Sequence, residues 1–485
     1  MLILQLTVVL HLLKNDMNIN EFEINAHKVI DWIVDYYKNI EKYPVLSKSN
    51  PKDIFNQFSD FPPENSVDFD TIFAEFNEKI IPGITHWQHP DFFAYFPASS
   101  SFPSLLGEML TSAIGAQCMS WQTSPAAAEL EEKVMIWLRK MIGLPEYFEG
   151  VIQDTASTAT LCSILSAREK FSNFSINHQG YENNKFTIYC SSEAHSSIEK
   201  AVKISGIGRS NMRKISTFDD FSINYFELDK QIEIDLEAGF KPLAIVAALG
   251  TTGSTAIDNL FEVGKIANKY NIWLHVDAAF AGSALILEQF RWMIKGIEFV
   301  DSFVFNPHKW LLTNFDCSAY FVKDKGALIQ TFEILPEYLK TKNDNVVNNY
   351  RDWGIQLGRR FRALKLWMVI QSYGVKGLQE KIQFQLDLTE YFLKELKNID
   401  NIEILAPVYF TLVCFRFNDN KLDESELNII NEKLHQTILE DSNLYFTHTK
   451  LNGKYTLRIV LGQNLLEKKN VDYLLSEIKK AVQDV

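Results

Sequence analysis

Two apolar runs of strand length end abruptly in ionisable residues. The run IWLHV, residues 272–276, stops at Asp277, and the run DSFVF, residues 301–305, leads into NPHKW, whose lysine is Lys309. In a parallel α/β sheet, ligands bind at the carboxyl ends of the strands. An amine and a carboxylate at that edge suit an aldehyde cofactor with a basic ring nitrogen. The lysine can form a Schiff base, and the aspartate can keep the ring nitrogen protonated so that the ring accepts electrons.

The ordinary alternative is a buried Lys–Asp ion pair, or a surface lysine that follows a strand. Charged residues are usually solvated or paired, so this interpretation would suffice for a lysine alone. It does not explain the histidine and asparagine that flank Lys309. The pattern therefore favours a cofactor site over a structural ion pair.

Both segments resemble those of one enzyme family. HVDAAFAGSA, residues 275–284, and FNPHKWLLTNFDCSA, residues 305–319, are similar to the pyridoxal 5'-phosphate (PLP) decarboxylases of the aromatic-L-amino-acid type, the group II family. The likeness extends from about Asn18 to the C-terminus. It implies an α/β fold of the PLP-dependent transferase type I (aspartate-aminotransferase-like), a PLP cofactor and a small-molecule amino-acid substrate. It also implies a homodimer with the site at the subunit interface.

The resemblance assigns cofactor roles to particular residues. Lys309 is expected to carry the Schiff base, Asp277 to pair with the ring nitrogen, and Ala279 to pack on one ring face. His195, in SSEAHSS, is expected to stack on the other face with a polar contact near the substrate. By itself this histidine would be interpreted as an N-cap or loop residue. Thr252, in GTTG, is expected to contact the ring or its substituents.

A phosphate needs backbone N–H groups and hydroxyls at a helix start. The stretch QDTASTA, residues 153–159, supplies them before the helical run Leu161–Lys170, although an ordinary capping box explains the same residues. Asp258 is assigned to the site more weakly, because a helix N-cap role is equally plausible. The family pattern places the phosphate on Thr155, Ala156, Ser157, Asn306 and His308.

Tyr338 bears on the reaction rather than on the cofactor. ILPEYLK, residues 334–340, runs into the polar TKNDN, a pattern that predicts a mobile lid which excludes water. Relatives that decarboxylate carry tyrosine here to protonate the carbanion, and relatives that make aldehydes oxidatively carry phenylalanine. Tyr338 with His195 therefore predicts decarboxylation of an aromatic L-amino acid: tryptophan, 5-hydroxytryptophan, DOPA, phenylalanine or tyrosine. The alternatives are an aromatic aldehyde synthase on the same fold and a decarboxylase of a non-aromatic amino acid.

The substrate pocket is expected to be aromatic but altered. Ala98, Gln117 and Met119 stand where the animal enzymes have threonine, isoleucine and phenylalanine, so the preferred ring does not carry over. Gly358 matches relatives that accept bulky catechol or indole rings, whereas relatives with serine there tend toward tyrosine or histidine. The predicted substrate-binding residues are Trp87, Tyr95, Phe96, Pro97, Gln117, Met119 and Gly358.

Composition excludes several other classes. The 61 acidic and 48 basic residues give a net charge of −13, which disfavours nucleic acid or an anionic membrane as partner. The five cysteines are widely spaced without a CxxC pair, which argues against a metal site and a disulfide framework and favours a cytoplasmic enzyme. The apolar residues 1–13 lack a basic n-region and are too short for a bilayer span. We therefore expect residues 1–16 to be a non-native or dispensable extension, with a targeting role as the alternative.

The elements that must position these residues follow from periodicity and length. A chain of 485 residues predicts two or three domains. We expect an N-terminal helical dimerisation segment (17–100), a large PLP-binding domain (101–375) with a mostly parallel sheet and helices on both faces, and a small C-terminal α+β domain (376–485). The pattern predicts a buried strand at Ser302–Phe305 and helices at Leu260–Tyr270 and Leu378–Leu396. Leu451-Asn452-Gly453-Lys454 predicts a hairpin turn.

A nucleotide-binding module is the main alternative from another functional class. Its best candidate motif is Gly206-Ile207-Gly208, which lacks a third glycine and a convincing preceding strand. A non-enzymatic relative of the same fold would be expected to have lost Lys309 or Asp277, and both are present.

Overall fold

The computed structural model describes residues 17–98, 100–181, 185–334 and 346–484. Residues 1–16, which the sequence predicts to be a dispensable extension, and the predicted lid residue Tyr338 lie outside these ranges. Among the described residues, no helix combines the length and apolarity needed to cross a bilayer. Nor do these residues contain a group of three or more His, Cys, Asp or Glu side chains that could hold a metal ion.

The N-terminal segment is helical, as its periodicity predicts. Helix α1 (Ile19–Lys38) begins at Asn18, whose side chain accepts from the N–H groups of the first turn in a capping box. Helix α2 (Phe69–Glu75) begins at the cap Asp68 and continues as a π-turn over Phe76–Ile80. Trp32 and Tyr37 of α1 pack against Phe76 and Phe102 of the same chain, whereas several other apolar side chains of α1, such as Phe22 and Ile24, stay exposed.

A seven-stranded sheet forms the centre of the molecule, in the order β1-β7-β6-β5-β4-β2-β3. Strands β2 to β6 pair in parallel, whereas β7 is antiparallel to both of its neighbours. The parallel strands therefore bring their carboxyl ends to one edge. The strands are β1 (Glu149–Gln153), β2 (Phe186–Ser191), β3 (Met212–Ile215), β4 (Lys241–Ala248), β5 (Trp273–Asp277), β6 (Ser302–Phe305) and β7 (Ser318–Val322).

Helices cover both faces of this sheet, because alternate side chains of the buried strands point to opposite sides. Along β4, Ile245 and Ala247 join one core cluster, and Ala244 and Val246 join another. This architecture confirms the predicted type I fold. The helices of this region are α3 (Phe102–Ile114), α4 (Pro125–Met141), α5 (Ala156–Phe171), α6 (Ser175–Gln179), α7 (Ser196–Ile204), α8 (Tyr225–Glu237), α9 (Leu260–Tyr270), α10 (Pro307–Trp310) and α11 (Lys325–Phe332).

A long helix, α12 (Arg362–Leu396), connects the central sheet to a smaller C-terminal sheet. The sequence predicts only the second half of this helix, from Leu378. The backbone leaves the helical region at Gly374, with φ 62° and ψ 174°, so the helix is broken shortly before the predicted half begins. The proposed domain division at 375/376 falls beside this break and stays a prediction.

The C-terminal sheet is antiparallel, in the order β10-β11-β9-β8, with helices α13 and α14 packed on it. The predicted hairpin is present: Asn452 and Gly453 both have positive φ, which a two-residue turn of this type requires. The elements are β8 (Ile402–Ile404), β9 (Leu412–Phe417), α13 (Glu424–Asp441), β10 (Thr447–Leu451), β11 (Lys454–Val460) and α14 (Lys468–Gln483).

Candidate active site

Two cavities that share part of their lining lie at the carboxyl ends of β4, β5 and β6. The inner cavity has a volume of about 240 Å³ and is lined by Asp277 and by residues that follow β4 and β6. The outer cavity, about 850 Å³, lies between the 192–196 loop and the C-terminal domain. Phe96, His195, Thr252 and Lys309 line both cavities. The Lys309 side chain therefore lies at the boundary between the inner and the outer cavity.

Lys309 reaches this position because α10 starts directly after β6. Burial lowers the pKa of Lys309; the nearby Asp277 carboxylate opposes this change and the Arg458 guanidinium adds to it. Its Nζ lies 5.2 Å from the centroid of the Phe96 ring. A lysine with a lowered pKa supplies the neutral amine that attack on an aldehyde requires.

Asp277 is the last residue of β5, and one of its carboxylate oxygens accepts from the Ala279 N–H at 3.0 Å. This bond orients the carboxylate and places Ala279 on the wall of the inner cavity. The chain then passes close under β6: a Cβ at Gly282 would lie 2.4 Å from the Phe305 Cβ. Only glycine fits this approach, which holds the segment after β5 against the sheet.

His195 has both of the roles considered for it in the sequence: it is a helix N-cap, and it lies at the site. It caps helix α7, where its Nδ1 accepts from the Ser197 N–H at 3.2 Å and contacts the Ser197 Oγ at 2.8 Å. Its ring also lines both cavities. Burial lowers its pKa, and a nearby Asp277 opposes this change. Because Nδ1 accepts, the neutral imidazole is assigned a proton on Nε2.

The proposed phosphate site is a helix start. Thr155 caps α5, and Thr155, Ala156 and Ser157 line the inner cavity. The first N–H groups of a helix have no partner inside the helix, so this end can bind an anion. Asn306 and His308 also line this cavity: the Asn306 amide oxygen accepts from the Ser318 hydroxyl at 2.6 Å, and the His308 Nδ1 accepts from the Cys317 N–H at 2.9 Å.

His308 is neutral in this setting, since burial, the largest cause, and the neighbouring Lys309 lower its pKa to about 3. The lining of the inner cavity thus includes an amine, a carboxylate and a helix N-terminus with the hydroxyls of Thr155 and Ser157. These are the groups that the aldehyde, the ring nitrogen and the phosphate of PLP need. The residues present fit this cofactor.

Thr252 lies at the predicted site, whereas Asp258 does not line either cavity. Thr252 lines both cavities, and its carbonyl accepts from Arg458. Asp258 is buried, and its carboxylate accepts from the Ala248 and Ile223 N–H groups, each at 2.7 Å. The N-cap interpretation of Asp258 is wrong, because Asn259 caps α9. Asp258 instead secures the end of β4.

The predicted substrate residues fall into two places. Trp87, Tyr95 and Phe96 line the outer cavity, and Pro97 is buried behind them, 3.1 Å from the position that a Cβ on Gly462 would take. Gln117 and Gly358 lie together elsewhere: Gln117 accepts from the Arg359 N–H at 2.8 Å, and a Cβ at Gly358 would lie 3.1 Å from its amide nitrogen. The Met119 carbonyl accepts from the nearby Arg351 N–H. Gln117, Met119 and Gly358 do not line either described cavity of their own chain.

Sequence reasoning missed two contributors to the site. Phe280 stacks between Phe96 and Trp310, with centroid distances of 4.0 and 4.7 Å, and so supports the cavity floor. It lies inside the recognised HVDAAFAG segment and could have been found there. Arg458 is buried, and it donates to the Thr252 and Tyr95 carbonyls. No local pattern marks it, because it comes from β11, far along the chain.

Comparison with known proteins places the whole chain in one group. Residues 51–418 match the model of the pyridoxal-dependent decarboxylase conserved domain. The chain is 43% identical to phenylacetaldehyde synthase of Arabidopsis thaliana, covering 92% of each protein, and 41% identical to tyrosine decarboxylase 3 of Petroselinum crispum, covering 97% of this chain and 92% of the relative.

Two solved structures of plant decarboxylases are also similar to this chain over nearly its whole length. Oryza sativa TDC with PLP and tryptamine superposes with a TM-score of 0.92 at 34% identity, over 96% of this chain and 99% of the other. Catharanthus roseus tryptophan decarboxylase in complex with L-tryptophan gives 0.91 at 38% identity, also over 96% and 99%.

Proposed function

The chain belongs to the pyridoxal-dependent decarboxylase family, and from that premise we propose that it converts aromatic L-amino acids to the corresponding amines and CO2. The family makes it a PLP-dependent carboxy-lyase. The observation that carries the substrate class is the joint lining of the outer cavity by Lys309 and the aromatic side chains of Trp87, Tyr95 and Phe96. An aromatic side chain would pack on these rings while its amino group reaches the cofactor.

When bound, PLP supplies the aldehyde for the Schiff base and a ring that accepts the electron pair left as CO2 departs. The chain's own residues hold and orient it. The start of α5 would hold the phosphate, Asp277 would pair with the ring nitrogen, and Ala279 and His195 would pack against the ring. His195 is fixed by Ser197, which leaves Nε2 as the nitrogen that can donate toward the substrate.

Proton transfer completes the proposed reaction. Lys309 can accept or return a proton because burial lowers its pKa. Tyr338, which lies outside the described residues, is proposed from its sequence position as the acid that protonates the reacting carbon. His195 is the next candidate for that role.

An aldehyde synthase is the second candidate function. It is favoured by the 43% identity to phenylacetaldehyde synthase, against 41% to tyrosine decarboxylase 3. Such close values do not separate the two activities, so the proposal rests on Tyr338. A decarboxylase of a non-aromatic amino acid is the third candidate, and the aromatic wall of the outer cavity argues against it.

We also propose that the enzyme is a cytoplasmic homodimer. Helices α1 and α3 expose large apolar side chains to water. An exposed apolar surface of this kind indicates an interface with another protein chain. A second copy would cover them, and it would let Gln117, Met119 and Gly358 reach the partner's cavity. All five cysteines are free and buried, as in a reducing compartment. The exposed apolar residues are Ile19, Phe22, Ile24, Ile30 and Val34 of α1 and Phe102, Leu106, Met109, Leu110 and Ile114 of α3.

The test is to incubate the PLP-loaded enzyme with each aromatic L-amino acid and to quantify CO2, amine, aldehyde and peroxide. We expect amine and CO2 in equal amounts. Lys309→Ala should abolish turnover and also the covalent cofactor adduct on the 306–310 peptide after borohydride reduction, read by mass spectrometry. Lys323→Ala, which removes an exposed lysine bonded to the Glu298 carbonyl, is the control. An adduct of unchanged yield in Lys309→Ala would refute the assignment.

A further inference from the structure

The wall of the outer cavity holds a pair of hydroxyl groups that the proposed mechanism does not use. Trp87, Tyr95 and Phe96 form an aromatic surface on the same cavity as Lys309. Tyr445, 350 residues after Tyr95, joins this wall from the C-terminal domain. The Tyr95 and Tyr445 hydroxyl oxygens lie 3.1 Å apart, within hydrogen-bond distance.

Tyr95 is held in an unusual backbone conformation. Its φ is 54°, in the left-handed region that bulky residues rarely adopt and that costs about 1–3 kcal/mol. The buried Arg458 stabilises this conformation by donating to the Tyr95 carbonyl at 2.9 Å. The Tyr95 ring also stacks on Trp87, with a centroid distance of 5.5 Å and an interplanar angle of 13°. The chain thus fixes both the backbone and the ring of a residue whose side chain is 47% exposed to the cavity and solvent.

The main chain and the ring of Tyr445 are also fixed by contacts within the chain. Its carbonyl accepts from the Phe93 N–H at 2.7 Å, its N–H donates to the Asp91 carbonyl, and its ring packs edge-on against Phe92. Burial, the larger cause, and the adjoining Tyr95 hydroxyl raise the pKa of Tyr445. The Tyr445 phenol therefore stays neutral. In such a pair one hydroxyl donates to the other, and the second keeps a proton that it can donate outward.

We infer that Tyr95 and Tyr445 act as one hydroxyl pair that recognises a hydroxyl group on the aromatic ring of the substrate, which makes Tyr445 a specificity-determining residue. This inference rests on the proposed function, because it names the substrate class of the same cavity. The pair offers both a donor and acceptor lone pairs, which is what a ring hydroxyl needs and a plain phenyl ring cannot use.

The expected selectivity is modest, for a physical reason. A site whose buried polar groups are left unpaired rejects the analogue strongly. Here the two tyrosine hydroxyls satisfy each other when the ring has no hydroxyl. A ring hydroxyl therefore gains only the net value of about one hydrogen bond, which corresponds to roughly a two- to tenfold preference in kcat/KM.

The experiment compares two substrate pairs that differ by one hydroxyl: tyrosine with phenylalanine, and 5-hydroxytryptophan with tryptophan. Wild type should prefer the hydroxylated member of at least one pair by the stated factor. Tyr445→Phe and Tyr95→Phe should each reduce that ratio to within about twofold of one, and the double variant should reduce it no further, because the hydroxyls act as a unit. Tyr270→Phe, which removes a hydroxyl bonded to Glu233 outside the cavity, should leave the ratio unchanged.

A binding measurement separates recognition from chemistry. Competition by tyramine and by phenethylamine, the two matched product amines, should show the same ratio in the PLP-loaded wild type and lose it in Tyr445→Phe. A wild-type ratio at or below one in both pairs, or a ratio that Tyr445→Phe does not change, overturns the inference. Failure of the proposed function has a different signature, namely no release of CO2 from any of the four amino acids.

Discussion

A buried ion pair between Glu131 and Arg359 offers a sharp test of how the predicted substrate residues are positioned. The Glu131 and Arg359 side chains are 3% and 5% exposed, and their charged atoms lie 2.5 Å apart. Glu131 also accepts from the Ile152 N–H at 2.9 Å, and Arg359 donates to the Ile152 and Tyr350 carbonyls. The main chain of Arg359 in turn bonds the Gln117 side chain. The pair therefore connects α4, the end of β1 and the segment that carries Gly358.

We expect Glu131→Gln to destabilise this region by about 3–5 kcal/mol, the usual cost of leaving one charge of a buried pair without its partner. The glutamine keeps the volume and can still accept from Ile152, so the loss comes mainly from the uncompensated Arg359 guanidinium. Glu131→Leu combined with Arg359→Met should cost less than Glu131→Gln alone, because no charge remains buried. Activity should fall with the local order of Gln117 and Gly358.

Hydrogen exchange at the Ile152 amide is the appropriate assay, because a chain of this length does not unfold in one two-state step. The expected cost corresponds to a loss of protection of roughly a hundredfold or more at this amide. Glu75→Gln, which removes an exposed ion pair with Lys79, should change exchange by less than about 1 kcal/mol. A loss of protection below tenfold in Glu131→Gln would show that the pair does not hold this region together.

Three further outcomes are expected. Tyr338→Phe should shift the product from amine toward aldehyde, since phenylalanine keeps the volume but has no proton to give; an unchanged amine yield without peroxide under air would refute this role. Light scattering should show a dimer in wild type and a larger monomer fraction in Phe22→Asp, with the exposed Glu23→Gln as control; an active monomeric wild type would contradict the proposal. The unfolded chain should bind one more proton than the folded protein at His275 between pH 6.5 and 4, because burial lowers the pKa of this histidine to about 4. Stability present above pH 6.5 is therefore lost as pH falls, by about 3 kcal/mol for this group, and the opening free energy from hydrogen exchange at the Val276 amide should fall less steeply with acid in His275→Gln.

Local patterns were sufficient for much of the fold. Strand β6 and helix α9 have the predicted bounds, Ser302–Phe305 and Leu260–Tyr270. A buried strand needs a continuous apolar run, and the polar residues that follow it mark the sheet edge. Boundaries were less certain where a single residue decides, as at Gly374, whose left-handed φ breaks a helix that would otherwise continue.

The position of the candidate cofactor residues at one edge of the sheet was predictable for the same reason. Lys309, Asp277, His195 and Thr155 each follow a strand or begin a helix, and the parallel topology brings such positions to one edge. Their chemical roles stay predictions. Asp258 shows the limit of this reasoning: as a polar residue just before α9 it could be a cap or a ligand, and only the position of β4 and Ile223 makes it an acceptor for two buried N–H groups.

The sequence alone determined which residues are candidates for the chemistry, because an amine, a carboxylate and a helix start can be recognised from a few neighbouring positions. Only the tertiary structure decided what surrounds them. Arg458 and Tyr445 meet Tyr95 across more than 300 residues, and no local periodicity encodes such a contact. Gln117 and Arg359 are 242 residues apart in the chain, and the bond between them brings Gln117 beside Gly358. Contacts of this kind depend on how the C-terminal domain and α12 pack on the central sheet, and that packing is a property of the whole core.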